Sequence, residues 1–231
     1  MAEPILVGCS HGTDDPAGRA VVAGLLAGVR AARPGLDVRE AFVDVQSPSV
    51  ADVVEEAVAG ERRAVVVPLL LSAGYHVHVD IAAAVLGRPA VAADALGPDV
   101  RLVGCLVDRL REAGAAPGDA VVLGAAGSSD PRAGAAVGVM ARALADAWPY
   151  GPVSVGYGSA DEPRVDEAVA AAHARGRRVV LVSYLLAPGW FHDRFAQAGA
   201  DAVTAPLAPD ARLVDVVLDR YDAAVGVLAG A

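Results

Sequence analysis

The 231-residue sequence contains no lysine and no asparagine, only two cysteines, and few aromatic residues (4%). Each shortage excludes something. Cys9 and Cys105 make no disulfide framework and suit a reducing compartment. All 19 cationic side chains are arginine, against 28 Asp plus Glu, for a formal charge of −9. A nucleic-acid partner calls for a basic footprint, so that class is set aside. With lysine and asparagine absent and only two isoleucines present, the composition reads as the bias of a GC-rich genome. The choice of arginine therefore carries no functional message. The longest apolar stretches, around 65–74 and 179–191, fall short of the roughly 20 residues a bilayer crossing needs. No basic segment precedes the first apolar run, so no secretory signal is expected. At 55% hydrophobic residues the chain is too apolar for disorder. These features predict a soluble, cytoplasmic, globular protein with no membrane and no nucleic-acid partner.

What is present is an alternation of strand-length apolar runs with helical patterns. Strands are expected at 5–9, 38–43 and 64–71, with a short fourth at 101–103. Helices are expected at 17–32, 49–59 (opened by Ser49 as N-cap), 77–86, and from 103 to about 113. Continuous Val/Leu strands between helices predict parallel sheets covered on both faces.

After the linker-like 114–119 the pattern restarts, which makes an internal repeat. Gly8-Cys9-Ser10-His11-Gly12-Thr13-Asp14 aligns with Gly124-Ala125-Ala126-Gly127-Ser128-Ser129-Asp130 at a shift of 116. Arg62-Arg63-Ala64-Val65 aligns with Arg177-Arg178-Val179-Val180 at a shift of 115, a one-residue drift attributed to a loop deletion. The fold expected is α/β: two similar parallel-sheet halves, 1–115 and 119–231, with a cleft between them.

In such sheets, ligands sit beyond the carboxyl ends of the strands. His11, Asp44 and His76 fall there in the first half, and Gly127, Ser159 and Phe191 at the positions aligned with them in the second. Two imidazoles and a carboxylate suit a divalent first-row metal and leave coordination open, as a catalytic site requires. By spacing alone the set also admits a plain structural reading, with His11 capping the next helix and His76 a loop histidine.

Three motifs in order carry a family resemblance. Gly8-Cys9-Ser10-His11-Gly12-Thr13 precedes Asp15-Pro16, and Ala41-Phe42-Val43-Asp44 precedes Pro48-Ser49. Val67-Pro68-Leu69-Leu70-Leu71-Ser72-Ala73-Gly74-Tyr75-His76 then leads to Asp80-Ile81. Together they resemble the class II chelatases, above all the sirohydrochlorin cobaltochelatase and ferrochelatase group in its long, two-half form. The resemblance implies a lyase that inserts Fe²⁺ or Co²⁺ into sirohydrochlorin, on the way to sirohaem or cobalamin. The metal is then a substrate, and no organic cofactor is expected. It also implies that His11 and His76 bind the metal and, with Asp44, form the catalytic set. The family usually has Glu where this sequence has Asp44, which puts direct ligation by the shorter arm in question. Ser10, Gly12, Thr13 and Tyr75, beside these histidines, are expected at the substrate, and Trp190 with Phe191 could line a flat pocket for the macrocycle.

The substrate that the resemblance implies is a polycarboxylate while the chain is acidic, so a local basic rim is expected. Arg19, Arg132 and Arg194, just after strand-end loops, are candidates for it, as against solvated surface arginines. Cys9 reads as a packing thiol rather than a soft ligand. His192, with Asp193, could mark a second metal site. Two rivals remain: a non-catalytic carrier of metal or tetrapyrrole, and a phosphate-ester enzyme using the Ser10–Thr13 loop. That loop lacks the glycine-rich phosphate-binding pattern and its lysine.

Overall fold

The computed structural model describes residues 3–72, 74 and 77–230. Two compact units emerge: Met1–Leu96 with Pro209–Ala231 (unit 1), and Gly97–Ala208 (unit 2). Unit 1 holds β1 (Ile5–Ser10), α1 (Pro16–Ala32), β2 (Val38–Phe42), α2 (Val50–Ala57) and β3 (Ala64–Pro68). A π-helical turn at Val77–Ile81 follows, then α3 (Ala82–Val85) and β4 (Ala90–Ala92). Unit 2 opens with α4 (Val100–Glu112) and continues through β5 (Ala120–Ala125), α5 (Pro131–Ala147), β6 (Val153–Tyr157) and α6 (Val165–His173). It closes with β7 (Val179–Tyr184), α7 (Trp190–Ala196) and β8 (Ala202–Val203), and the chain ends in α8 (Ala211–Gly230), which belongs to unit 1.

The described strands form two parallel four-stranded sheets, ordered β2-β1-β3-β4 and β6-β5-β7-β8. Every strand pair in them is parallel. Alternating residues of β1 divide between the faces. Ile5, Val7 and Cys9 pack with Val50, Val53, Val54, Ile81 and Ala84 from α2, the π turn and α3. Gly8 faces α1, where a β-carbon would lie 2.5 Å from Leu26 Cδ2. Burial on both faces is what the unbroken apolar runs require. In unit 2, Ala120 and Val122 share a core with Val165, Ala168, Val169 and Phe195. No described helix is long and apolar enough to cross a membrane.

Local chemistry explains the helix limits. Asp15 caps α1, its Oδ1 accepting from the N–H groups of Ala17 (2.7 Å) and Gly18 (3.2 Å), with Pro16 as the first helical residue. Capping by Asp15 removes the reading in which His11 closes that helix. Ser49 caps α2 by accepting from the N–H of Asp52 at 3.2 Å.

Three expectations need correction. Residues 101–103 are not a strand but the first turns of α4: Asp99 caps it, accepting from Arg101 N at 2.9 Å, and Leu102, Val103, Leu106, Val107 and Leu110 are buried. That spacing has the period of a helix, and a three-residue window misses it. The fourth strand is Ala90–Ala92, paired with β3. The repeat runs at a constant shift of 115. Ile5 and Ala120 pair with Ala64 and Val179 in the two sheets, and Gly12 and Gly127 share left-handed φ values of +92° and +88°. His11 therefore matches Ala126, not Gly127, and no loop deletion is needed.

The repeat halves and the compact units divide the chain differently. The boundary at 115/119 separates the sequence repeats, yet the compact units exchange a helix across it. α4 packs on β7 and α5, whereas α8 packs on α1, β3 and β4. Each is tied down by an arginine: Arg109 donates to the carbonyls of Pro206 (2.8 Å) and Leu207 (3.0 Å), and Arg220 to those of Ala95 (2.9 Å) and Leu96 (3.0 Å).

Candidate active site

The carboxyl ends of β1 and β2 bring His11 and Asp44 side by side. Parallel pairing continues past the strands: Val43 N donates to Ser10 O at 3.0 Å, and Asp44 N to His11 O at 3.1 Å. Ser10 is buried (6% exposed), while His11 and Asp44 are exposed. Asp44 Oδ1 accepts from the N–H of Val45 at 2.8 Å, which orients the carboxylate. Val45 has φ +53°, a strained setting for a β-branched residue.

Gly12 makes this approach possible. With φ +92°, it passes so close to β2's exit that a β-carbon would lie 2.5 Å from Asp44 O. Thr13 then ties the loop. Its N–H donates to Gln46 Oε1 at 2.9 Å, its hydroxyl oxygen accepts from Asp15 N at 3.1 Å, and its carbonyl accepts from Arg19 Nε at 2.7 Å. Gln46 escaped the sequence reading. Its signal lay in the repeat, because Asp161, 115 residues on, accepts from Ser128 N at 3.0 Å in the same way.

Tyr75 and His76 lie outside the described residues. The structure brings together Ser10, His11, Gly12, Thr13 and Asp44. Among the described residues no three His, Cys, Asp or Glu side chains form a metal-holding group. Cys9 is fully buried; burial, with a contribution from the charge of Asp80, pushes its thiol up to about 12. Its place in the apolar core beside Ile5, Val7 and Val54 makes it a packing group.

Unit 2 repeats the scaffold with different side chains. At the positions of His11, Asp44 and His76 stand Ala126, Ser159 and Phe191. Where unit 1 has Cys9 and Asp80, unit 2 has Gly124 and Phe195, and the Phe195 ring fills the space a β-carbon on Gly124 would enter. Trp190 and Phe191 meet edge to face with centroids 4.9 Å apart. Phe191 covers Gly158, whereas Trp190 is 62% exposed. His192 Nε2 lies 3.0 Å from the carbonyl of Thr204, so that nitrogen is engaged with the backbone.

The three candidate rim arginines separate clearly. Arg19 bonds to Thr13 O and pairs with Asp14. Arg132 pairs with Asp130, the cap of its own helix. Arg194 has its guanidinium carbon 5.6 Å from the Trp190 ring centroid and makes no ion pair among the described residues.

The CbiX family model matches residues 5–113 and again 120–224. SirB from Bacillus subtilis with Fe³⁺ is 21% identical, with TM-score 0.81, covering 96% of this chain and 95% of that one. The sirohydrochlorin chelatase SirB from Bacillus subtilis subspecies spizizenii, in complex with cobalt, is 20% identical, with TM-score 0.78 and coverage of 96% and 94%. CbiX, described as the terminal enzyme for biosynthesis of siroheme in denitrifying bacteria, is 20% identical, with TM-score 0.69 and coverage of 96% and 99%. At these identities the structures show a shared fold. No curated protein gave a match. With the same model fitting each half in turn, the chain belongs to the CbiX family.

Proposed function

We propose that this protein is a sirohydrochlorin chelatase that inserts Fe²⁺ or Co²⁺ into the macrocycle, in sirohaem or cobalamin biosynthesis. The observation that carries the reading is the double match to the CbiX family, supported by the fold shared with a SirB described in complex with cobalt. The metal is the substrate. His11 and His76 hold it through neutral imidazole nitrogens, which requires both rings to be deprotonated.

Metallation releases two pyrrole N–H protons as the ion sheds water. Asp44 receives one, its Oδ1 held by Val45 N–H and its Oδ2 without a hydrogen bond among the described residues, and a histidine imidazole released by the departing ion accepts the other. The short arm of Asp44 favours proton acceptance over ligation. Ser10, Gly12 and Thr13 shape the loop that carries His11. Tyr75, Trp190 and Phe191 offer aromatic surface to the macrocycle. No covalent intermediate is required, so the chemistry is positioning plus proton transfer.

The test is metallation of sirohydrochlorin by purified protein, followed by the change in its visible absorption with Fe²⁺ and with Co²⁺. Wild type should accelerate insertion, and His76→Ala should abolish it while the far-ultraviolet dichroism is unchanged. Binding of metal and macrocycle without acceleration would make the protein a carrier. A His76→Ala rate within about threefold of wild type, a barrier change under ~1 kcal/mol, would remove His76 from the site.

A further inference from the structure

Unit 2 carries a second feature at the carboxyl side of its sheet. A surface cavity of about 230 Å³ is lined by Val165 and Asp166 from the start of α6 and by Arg194, Gln197 and Ala198 from α7 and its end. It is smaller than the roughly 300–1,000 Å³ of a whole-ligand site, and suits one short acidic arm. Arg194 spans two surfaces, lining the cavity while its guanidinium lies over the exposed Trp190 ring.

The repeat shows that this polarity is particular to unit 2. At the shift of 115, Asp166, Arg194 and Gln197 correspond to Ala51, Val79 and Ala82 of unit 1. The same exchange puts Trp190 and Phe191 where unit 1 has Tyr75 and His76. In place of the residues proposed for the metal, unit 2 thus has an aromatic surface with a cation and an amide beside it.

We propose that Arg194 and Gln197 form a subsite for one peripheral carboxylate of the macrocycle, next to the Trp190 ring. The inference rests on the chelatase reading and deepens it. The Arg194 guanidinium, without an ion pair among the described residues, offers charge-assisted hydrogen bonds to a carboxylate, and the Gln197 amide supplies further donors. Asp166 sets the limit: its negative charge on the same cavity opposes crowding of a second acid group into it. The subsite therefore selects on the number and placement of carboxylates, and bears on macrocycle binding rather than on the metal.

The experiment measures KM and kcat for sirohydrochlorin with Co²⁺, and Co²⁺ affinity without macrocycle, in full-length variants. Arg194→Ala should raise KM about five- to tenfold with kcat within about twofold and Co²⁺ affinity unchanged, and Arg194→Lys should recover part of the loss. Asp166→Asn should lower KM. Added salt should raise KM for wild type more than for Arg194→Ala, a dependence that a purely packing role would not produce. An Arg194→Ala KM within twofold of wild type, or an Asp166→Asn KM raised as far as that of Arg194→Ala, overturns the subsite and leaves the chelatase reading standing. A wild type that does not metallate sirohydrochlorin overturns both.

Discussion

Asp44 donates its main-chain N–H to the carbonyl oxygen of His11 at 3.1 Å. One hydrogen bond past the end of regular pairing thus fixes the spacing of an imidazole-bearing and a carboxylate-bearing residue. The register of β1 on β2, Ser10 opposite Phe42, determines that spacing, so the site inherits the rigidity of the sheet.

Replacing the carboxylate by its amide tests the proton role. In Asp44→Asn the side-chain oxygen can still accept from Val45 N–H, so the loop should hold its shape. Loss of the proton acceptor should lower kcat by about 10²-fold, at the low end for general-base catalysis. Co²⁺ affinity should change little, and Asp44→Glu should retain most activity. An Asp44→Asn kcat near wild type would show that solvent takes the proton.

Gly12 and Gly127 provide a matched pair. Both have left-handed φ, and a β-carbon on either would meet the backbone of the residue at the end of the neighbouring strand, Asp44 or Ser159. Alanine at either position should cost about 1–3 kcal/mol, read as a lower Tm. Only Gly12→Ala should also weaken Co²⁺ binding. Equal loss of Co²⁺ affinity in both would detach the metal site from the β1–β2 exit.

Metal stoichiometry follows from the repeat. With Ala126, Ser159 and Phe191 at the matching positions, each chain should bind one Co²⁺ tightly. Titration by spectroscopy or calorimetry should give one site for wild type and none for His11→Ala combined with His76→Ala. A second tight site, or one that survives the double substitution, would move the metal elsewhere.

Tyr221 on α8 supports a pH prediction. Its hydroxyl donates to Pro4 O at 2.5 Å from a fully buried position, and the Arg33 guanidinium lies 5.6 Å from its ring centroid. Burial first, then the charge of Glu3, raises the phenol above its ordinary range. A raised acid stabilises the fold below its unfolded pKa, about 10 for tyrosine, and that contribution is lost as pH rises through the folded value. Tyr221→Phe should cost about 1–2 kcal/mol at pH 7. The gap in urea midpoint should narrow above pH about 10, where the unfolded tyrosine ionises and the folded phenol does not; a constant gap would mean that folding leaves the phenol's pKa unchanged.

The sequence made the local features legible and the long-range ones obscure. Strand β1, the Ser49 cap and the strand-end positions of His11 and Asp44 rest on residues within a few places of one another. Ala90–Ala92 was missed because three small residues carry no period, and pairing with β3 alone makes them a strand. Residues 101–103 misled because Leu-Val reads as strand in isolation, whereas burial along α4 follows the helical period. The repeat shift went wrong at the glycine motif, where matching Gly8 to Gly124 outweighed strand register. That register sets Cys9 against Gly124 and Gly12 against Gly127. Gln46 stayed hidden because its role is one side-chain bond to Thr13 N, reached across a loop.

The helix exchange has a consequence for where the chain can be cut. Unit 2 is an unbroken passage, 97–208, spliced into unit 1 between Leu96 and Pro209. A cut at the repeat junction near 115 would strand α4 without its sheet and strip β3 and β4 of α8. The natural seams are those two points instead. Excising the whole passage and joining Leu96 to Pro209 through a short linker would keep one complete sheet, both of its helical covers and the His11–Asp44 pair in a single minimal fold.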